Sequence, residues 1–428
     1  MRRFGHIIKF ERLKQNMKQV TLAEGICQPS YLSRIENNSI VPSGEIIEMI
    51  VNKLKLNISP FDMPESEFIS NVKNKYKEAI LFKDREKTSL LLQELNQKPV
   101  NFSDVTLFYD FQLMVLRLNL ISHGIQFPTK NILFALSELR NHFNYQQQFT
   151  FYINIGFVKC IEDDLESSLE NFQKAIKIMP HFKCKAWEIA DMEYALGVVY
   201  LDLHRYVSAI AYTKHSIIFF DKNLYSTRSI EAYIVLSIAY KNSQNYEQAL
   251  SVLKLAQNKS LLINHQGHLS LLHYNIGAID TLQGKSESAI TNYLECITLS
   301  NKDLHTASSM VALIIEFAKQ QDYTSVIEWC QKGISLCKNS SDPTLKFREP
   351  HFLCYQAIYG DGDNFERTLQ KCINTFEHHK EFRYSHKYSL KLAEYYLENK
   401  KYKKAAIQYK KANEYLALKE NRKFTEDL

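Results

Sequence analysis

Side chains suited to recognising a ligand are concentrated between Gln19 and Asn37, in the stretch QVTLAEGICQPSYLSRIEN. Its apolar residues recur at helical spacing, and Gly25 gives the backbone the freedom of a sharp turn. The stretch therefore predicts two short helices joined by a turn. Leu32 and Ile35, three residues apart, would pin the second helix to its neighbours. The polar residues of that helix are left for solvent or a ligand: Gln28, Ser30, Ser33, Arg34 and Asn37.

Motifs that indicate catalysis are absent from the sequence. The chain has no H-E-x-x-H, no G-x-S-x-G and no G-x-x-x-x-G-K-S/T, the patterns of metalloproteases, serine hydrolases and phosphate-binding loops. The 14 histidines are scattered, and the adjacent pair His378 and His379 lies near a predicted loop. We therefore predict that the protein is not an enzyme and holds no metal and no cofactor.

The cysteines do not form a recognisable site either. There are eight, and none are spaced C-x-x-C, so neither a zinc ribbon nor a redox dithiol is predicted. They lie in apolar helical stretches, which is typical of free, buried thiols in a cytoplasmic protein. A redox-sensing thiol is the alternative for one of them.

Composition indicates a helical protein with a basic N-terminal end. Only 12 Gly and 9 Pro occur among 428 residues, too few for a turn-rich β fold. Up to residue 61 the chain has nine Lys or Arg and five Glu, so +4 of the net charge of +6 lies in its first seventh. The N-terminus has no apolar signal core, and no window is expected to reach the length of a membrane span. We predict a cytoplasmic protein without membrane contact.

The residues around this stretch predict a small helical domain. A first helix is expected from Gly5 to Asn16, with Ile8 and Leu13 facing inward. Cys27 occupies the N-cap position before the second helix of the stretch, and Pro29 lies in that helix's first turn. Ser43 should cap a fourth helix whose apolar stripe is Ile46, Ile50 and Leu54, and a short fifth helix is expected around Ser59 to Asp62.

This pattern resembles the helix-turn-helix domain of the XRE/Cro repressor family over about sixty residues. The residues that carry the resemblance agree in register at both polar and apolar positions: Gly5, Ile8, Arg12, Gln19, Leu22, Ala23, Gly25, Ile26, Ser33, Arg34, Ile35, Glu36, Pro42 and Ser43. The resemblance implies a domain that binds double-stranded DNA, and the local positive charge agrees with such a role.

The family's residue roles imply a specific set of DNA contacts. Gln19 would contact a phosphate through its side chain and the start of its helix. Gln28, Ser30 and Arg34 would face the major groove, where Gln suits adenine and Arg suits guanine or phosphate. Tyr31 would either stack on the sugar-phosphate backbone or pack inside the domain. Ser33 and Asn37 complete the candidate DNA-binding set, whereas Arg12 and Glu36 are expected to form an internal ion pair.

The rest of the chain, from about Glu65, is helical and repetitive. Seven short stretches that join two helices can be superimposed, at steps of 37 to 42 residues. Their equivalent positions are Leu165, Tyr206, Tyr246, Ser286, Tyr323, Phe365 and Tyr402. Small residues recur in the preceding helices, at Gly156, Gly197, Ser237 and Gly277. We count seven clear helix pairs between Tyr145 and Leu418, preceded by two degenerate pairs near residues 66–96 and 104–143.

These stretches resemble the tetratricopeptide repeat, most clearly in LGVVYLDLHRYVSAI and NIGAIDTLQGKSESAI. One such helix pair cannot bury its apolar face alone, so neighbours stack. The resulting prediction is an all-α chain: a five-helix helix-turn-helix domain followed by a right-handed superhelix of tetratricopeptide repeats. The predicted division is residues 1–62 for the DNA-binding domain, 63–100 for a linker helix with the first degenerate pair, and 101–428 for a sensor and dimerisation domain.

The first helices of the pairs should form an inner face that binds an extended peptide. Asn154 and Asn275, each two residues before a small Gly, could hydrogen-bond a peptide backbone or brace the neighbouring repeat. The other inner-face candidates are Asp191, Tyr194, Glu231, Tyr233, His268, Leu271 and Tyr274. The two carboxylates among them, Asp191 and Glu231, would suit a basic residue in a ligand; the alternative is that each is an ordinary surface charge.

The two resemblances together are those of the peptide-responsive PlcR/NprR-like transcription factors. They imply a dimeric quorum-sensing regulator that binds DNA and a short signalling peptide, with the helix at residues 65–82 transmitting the signal. One alternative is a regulator whose superhelix docks a protein, such as a response regulator, in place of a peptide. A second alternative is a superhelix that promotes phosphate removal from a partner.

Overall fold

The computed structural model describes residues 4–98, 101–124, 128–342, 345, 347–360 and 364–424. These residues form helices and connecting turns and contain no strand, which confirms the all-α prediction. The chain divides into two compact units, Met1–Leu236 and Ser237–Leu428, and helix α13 crosses the boundary between them.

Four short helices begin the first unit and enclose a small apolar core. The core consists of Ile8, Leu22, Ala23, Leu32, Ile35, Ile50 and Leu54. Helix α1 approaches α3 closely because Gly5 has no side chain: an added Cβ would collide with the carbonyl oxygen of Ile35. Gly25, with φ of 75°, makes the predicted turn. The helices are α1 (Gly5–Lys14), α2 (Gln19–Ala23), α3 (Pro29–Glu36) and α4 (Gly44–Leu54).

Two local predictions in this domain are wrong. The N-cap of α3 is Gln28 and not Cys27, because Pro29 occupies the first helical position. No fifth helix forms around Ser59 to Asp62. The Asn57 side chain instead accepts hydrogen bonds from the backbone N–H and hydroxyl of Ser59, and this local bonding competes with helix formation.

Four further helices follow, in the places predicted for the degenerate repeats. Helix α7 packs against α5, α6 and α9 and forms the centre of this part of the unit. Phe68, Phe102 and Phe111 cluster around it with ring centroids 5.6 to 6.4 Å apart. The helices are α5 (Glu65–Phe82), α6 (Arg85–Asn96), α7 (Val105–His123) and α8 (Lys130–Leu139).

Helix α7 corrects the expectation that no window reaches the length of a membrane span. Among the described residues it is the one helix long and apolar enough for that by length and composition. Most of its apolar window is buried inside the protein, together with the polar side chains of Gln112, Arg117 and Asn119. It is a core helix of the first unit in this structure.

The seven predicted repeats are present as seven helix pairs. Each residue at the equivalent position of the repeats is the first residue of the second helix of its pair. The pairs in or entering the first unit comprise α9 (Tyr145–Ile161), α10 (Leu165–Ile178), α11 (Ala186–Asp202), α12 (Tyr206–Lys222) and α13 (Ser226–Asn242). Those of the second unit comprise α14 (Tyr246–Leu262), α15 (Gln266–Leu282), α16 (Ser286–Leu299), α17 (Asp303–Lys319), α18 (Tyr323–Asn339), α19 (Glu349–Tyr359), α20 (Phe365–His378), α21 (Phe382–Glu398) and α22 (Tyr402–Phe424).

The turn inside each pair follows a common backbone rule. In every pair whose turn the structure describes, which leaves out α19–α20, the chain adopts the left-handed conformation two residues before the second helix, and this ends the first helix and reverses the chain direction. The residues at this turn position are Lys83, Asp163, His204, Gln244, Gly284, Gln321 and Lys400. Lys83 precedes α6 in the same way, so the α5–α6 pair has the turn geometry of the later repeats.

Small residues let the helices of a pair approach closely, as predicted. A Cβ added to Gly156 would lie 2.8 Å from the ring of Phe172, and one added to Gly277 would lie 2.9 Å from the ring of Tyr293. Both rings are buried, so they have little room to move. The aromatic residue of one helix thus fills the space that the glycine of the other leaves open.

Candidate functional sites

A buried ion pair fixes the geometry of the helix-turn-helix domain. Arg12 on α1 donates from Nη2 to Glu36 on α3 at 2.8 Å, and its Nη1 donates to the carbonyl oxygen of Met17 at 2.8 Å. Both charged side chains are almost fully buried. The internal role predicted for Arg12 and Glu36 is therefore what the structure shows, and the pair holds α3 in a fixed orientation.

Gln19 has an internal partner in this structure, and its phosphate contact stays a prediction. Its side-chain amide donates a 2.7 Å hydrogen bond to Oε2 of Glu36, and so joins the internal ion pair. The reason is position: the start of α2 lies beside the end of α3, within reach of an acceptor that is already buried. With its side chain engaged in this way, Gln19 would contact a phosphate through its backbone N–H, at the start of α2.

Helix α3 presents its polar residues to solvent. Gln28, Ser30, Arg34 and Asn37 are exposed, whereas Leu32, Ile35 and Glu36 of the same helix are buried. Two further candidates, Tyr31 and Ser33, are half-buried. The guanidinium of Arg34 lies 5.6 Å from the centroid of the Tyr31 ring, and Tyr31 also packs against the core of the domain. Packing is therefore the better supported of the two roles considered for Tyr31.

The opposite face of α1 docks on α7 and α8, a contact that the sequence analysis missed. The ring of Phe10 meets that of Phe108 edge-on at 5.3 Å, and the hydroxyl of Tyr109 lies 2.5 Å from Nδ1 of His6. Burial, followed by the positive charges of His142 and Lys9, lowers the pKa of His6 to about 4. The sequence indicated this second contact through three apolar residues, Ile7, Ile8 and Phe10, which cover too wide an arc of α1 to be buried on one face.

The inner-face candidates of the first unit are largely occupied by the protein's own side chains. Asp191 on α11 accepts hydrogen bonds from Arg117 at 3.1 Å and from Arg228 at 3.0 Å. Burial by itself would raise the pKa of Asp191, but Arg117 and Arg228 lower it below its usual value. With both oxygens engaged and the side chain 6% exposed, Asp191 has a structural role. Its prediction as a peptide contact is corrected accordingly.

Tyr194 and Glu231 lie at the edge of the same cluster and are more open. Glu231 on α13 accepts a 2.6 Å hydrogen bond from Nζ of Lys83. The charged groups of Lys83 and Arg228 lie 4.9 and 4.7 Å from the centroid of the Tyr194 ring. Arg228 also donates from Nη1 to the carbonyl oxygen of Ile80, in the last turn of α5, at 2.8 Å. The structure thus brings three of the predicted residues together and ties them to α5.

The remaining candidates of the first unit have internal partners. Asn154 is fully buried and donates to the carbonyl oxygen of Leu113 on α7 at 2.8 Å, which is the bracing role. Tyr233 is also buried and donates to Asp221 at 2.7 Å. Neither side chain is placed to meet a peptide in this structure, so both are corrected to bracing residues.

In the second unit, Asn275 donates to the carbonyl oxygen of Leu271, one turn earlier in its own helix, at 2.8 Å. It is buried, so it is also corrected from a peptide contact, whereas Leu271 is half-buried. The ring of Tyr274 lies 6.0 Å from that of Tyr293. His268 stacks on His265 at 3.9 Å near the start of α15. Leu271, Tyr274 and His268 stay candidates for ligand contact.

Titratable groups do not assemble into a chemical centre in the described part of the chain. No group of three or more His, Cys, Asp or Glu there could hold a metal ion. Buried His351 lies 2.9 Å from the hydroxyl of Tyr388, and burial, with Arg348 and Lys387, lowers its pKa to about 3. Such a histidine stays neutral at cellular pH and acts as a packed polar group.

Comparison with known proteins agrees with this geometry. The helix-turn-helix family matches residues 8–61. Over 407 residues the chain is 26% identical to the transcriptional activator NprA of Geobacillus stearothermophilus, covering 92% of this chain and 98% of NprA. The apo form of the quorum sensor NprR from B. thuringiensis has the same fold, with a TM-score of 0.69 at 16% identity over 82% of this chain and 100% of NprR.

The predicted resemblance to the PlcR/NprR-like group is confirmed. The apo form of RapI shares the fold at 16% identity, with a TM-score of 0.66 over 83% of this chain and 99% of RapI. These matches agree with an all-α fold in which a helix-turn-helix domain is followed by tetratricopeptide-type helix pairs.

Proposed function

We propose that this NprR-like chain is a sequence-specific DNA-binding transcriptional regulator whose superhelix binds a short signalling peptide. The observation that carries the DNA-binding part is the division of α3 into a buried apolar face and an exposed polar face. Gln28, Ser30 and Arg34 lie on the exposed face, where hydrogen-bonding side chains can reach base edges in a major groove. In this proposal residues 1–62 bind DNA, residues 63–100 form the linker helix and the first degenerate pair, and residues 101–428 form the sensor and dimerisation domain.

Two comparisons support the proposal. NprA, similar along nearly the whole chain, is a transcriptional activator. NprR in complex with its cognate peptide NprX has the same fold, with a TM-score of 0.58 at 15% identity over 84% of this chain and 99% of NprR. The proposed role is non-enzymatic, and its site of action is the cytoplasm, where the DNA is.

The proposed mechanism couples peptide binding to the spacing of two recognition helices. A homodimer would place one α3 in each half-site of an operator, and half-site spacing is a strict geometric requirement. Because α1 docks on α7 and α8, a shift in the packing of those helices would move α3 with it. A coupling of about 1–3 kcal/mol, typical of allosteric systems, changes DNA occupancy roughly 5- to 150-fold.

The test is replacement of Gln28 and Arg34 by Ala. Each base contact contributes about 1–3 kcal/mol, so the double variant should lose roughly 30- to 20,000-fold in specific operator affinity. Fluorescence anisotropy at one fixed salt concentration measures this, because affinities for DNA depend strongly on salt. Arg85→Ala with Gln93→Ala, two exposed residues of α6, is the matched control. Operator binding that survives the α3 change would show that another surface reads the DNA.

A protein occupant of the superhelix is the alternative to a peptide. Co-purification of a stoichiometric protein partner, together with DNA binding that does not respond to peptide, would favour that alternative. Dimerisation is tested separately by sedimentation of the full chain with and without operator DNA.

A further inference from the structure

A lysine of the protein rests in a place built for a cation. Nζ of Lys83 lies 2.6 Å from Oε2 of Glu231 and 4.9 Å from the centroid of the Tyr194 ring. A carboxylate beside an aromatic face is a common way for proteins to hold an ammonium or guanidinium group. Tyr194 is on α11 and Glu231 on α13, both first helices of their pairs, and both are among the predicted inner-face residues.

Lys83 reaches this place from a distant part of the chain. It is the left-handed turn residue after α5, with φ of 51°, and it is separated from Glu231 by 148 residues. Its contact fastens the end of α5 to α13. Arg228 reinforces the attachment through the carbonyl oxygen of Ile80. The end of α5 is thus held to the inner helices by two cations.

The two cations differ in how easily they could leave. Arg228 is 1% exposed and is bound by Asp191 and Ile80, so it is a fixed part of the cluster, and its Nε also lies 3.5 Å from Oε2 of Glu231. The side chains of Lys83 and Glu231 are 35% and 23% exposed, and a ligand could reach them. Burial, followed by repulsion from Arg228, lowers the pKa of Lys83. Both effects disfavour the charged form of the lysine in this site.

We propose that Glu231 and Tyr194 form a subsite for a lysine or arginine side chain of the peptide, with Lys83 as its internal occupant. This rests on the proposed peptide-binding function. A ligand cation that enters the subsite displaces Lys83 and releases one of the two cationic attachments at the end of α5. Lys83 would then determine both the affinity of the subsite for cations and the threshold at which α5 responds.

The expected competition is large because Lys83 is tethered. A tethered group acts at an effective concentration on the order of millimolar, above that of most free ligands. Replacing Lys83 by Met removes the charge and keeps most of the length of the side chain. The variant should therefore accept a cation without first releasing one.

The experiment compares a minimal cation with a neutral analogue of the same shape. The probes are Nα-acetyl-lysine amide and Nα-acetyl-norleucine amide, titrated into the full chain carrying Trp329→Phe. Of the two tryptophans, this leaves Trp187, whose ring lies 5.9 Å from that of Tyr76 on α5 and reports on the packing of that helix. Lys77→Met, also on α5, is the matched control for Lys83→Met, and Glu170→Gln on α10 is the control for Glu231→Gln.

The expected result is at least tenfold tighter binding of the lysine probe to Lys83→Met than to the parent or Lys77→Met, with preference over norleucine. Glu231→Gln should remove that preference, whereas Glu170→Gln should keep it. Equal affinity in the parent, Lys83→Met and a second variant, Lys83→Gln, would overturn the proposal, and so would a preference that survives Glu231→Gln. Operator binding through α3 is measured on the same proteins, so a failure of the subsite is distinguished from a failure of the proposed function.

Discussion

Helices α3 and α11 both carry polar side chains where ligand contacts are expected, and they hold these side chains differently. On α3, Gln28 and Arg34 extend into solvent. On α11, Asp191 is closed in by two arginines that come from α7 and α13. The difference follows from neighbours: α3 has buried partners on one side, whereas an inner helix of a stack has a helix pair on each side.

Because of this contrast, a polar residue has a different role in each of the two regions. An exposed polar residue on α3, such as Gln28 or Arg34, can contact a ligand without loss to the fold, whereas buried Glu36 cannot. A polar residue on an inner helix is first a partner for the adjacent pair, and only those at the rim, such as Glu231, keep access to solvent. The following predictions test the contrast, in order of decreasing expected effect.

Replacing Asp191 by Ala should lower the free energy of unfolding by about 3–5 kcal/mol, because Arg117 would stay buried without a counter-charge and Arg228 would keep only its 3.5 Å contact with Glu231. Urea unfolding followed by circular dichroism measures the effect. Arg34→Ala on α3 should change stability by less than about 0.5 kcal/mol, as exposed substitutions usually do. If Asp191→Ala is as mild as Arg34→Ala, the inner helix holds its charges as loosely as the recognition helix does.

Buried His351 should make the protein less stable as the pH falls below about 6.5, the ordinary pKa of histidine. Its folded pKa of about 3 is lower than that value, so the unfolded chain binds the proton first. The stabilising effect is complete above pH 6.5 and is lost at up to about 1.4 kcal/mol per pH unit on the way down towards pH 3.

The measurement for His351 is the free energy of unfolding between pH 7 and pH 4. The variant His351→Gln keeps a polar group beside Tyr388 and should show a shallower slope than the parent. Exposed His378→Gln serves as the control and should leave the slope unchanged. Parallel slopes for parent and His351→Gln would show that this histidine is not held neutral by the fold.

Gly156→Ala should destabilise the protein by about 1–3 kcal/mol, because the new Cβ would press against the buried ring of Phe172 at 2.8 Å. Gly44→Ala, where nothing lies within 4 Å of the added atom, should be nearly neutral. Thermal unfolding of the two variants compares the repeat region with the helix-turn-helix domain. A neutral Gly156→Ala would mean that the α9–α10 joint can expand.

Two asparagines give the smallest and most direct comparison. Asn154→Ala should cost about 1–2 kcal/mol, since it removes the buried hydrogen bond from the Asn154 side chain to the carbonyl oxygen of Leu113. Asn37→Ala should be within about 0.5 kcal/mol of the parent, because Asn37 is exposed at the end of α3. The measurement is the change in melting temperature of each variant relative to the parent. Equal changes for Asn154→Ala and Asn37→Ala would contradict the distinction between bracing and exposed residues.

The helices and the repeats could be predicted from the sequence because they depend on local residue patterns. The repeats were found from one residue per pair, and Tyr206 and Tyr246 indeed begin their helices. The core of the helix-turn-helix domain followed from apolar spacing and from the register of the resemblance. The fifth helix failed because Asn57 bonds to Ser59, an alternative that apolar periodicity does not register.

The contacts of the inner-face residues could not be predicted, because their partners are distant in the chain. Arg117 is 74 residues from Asp191, and Lys83 is 148 residues from Glu231. Periodicity places a side chain on a face of a helix but does not say which element covers that face. The internal partners of Asp191 could not be foreseen for this reason, whereas Glu231 lies at the rim and stays accessible.

The docking of α1 has a consequence for dissecting the protein into parts. Ile7 and Phe10 are buried against the helices that follow the helix-turn-helix domain. A chain cut after residue 62 would present both side chains to water as a new apolar patch, next to a histidine relieved of its burial. We expect such a fragment to self-associate, and its affinity for DNA would then report the association of fragments as much as the reading of an operator.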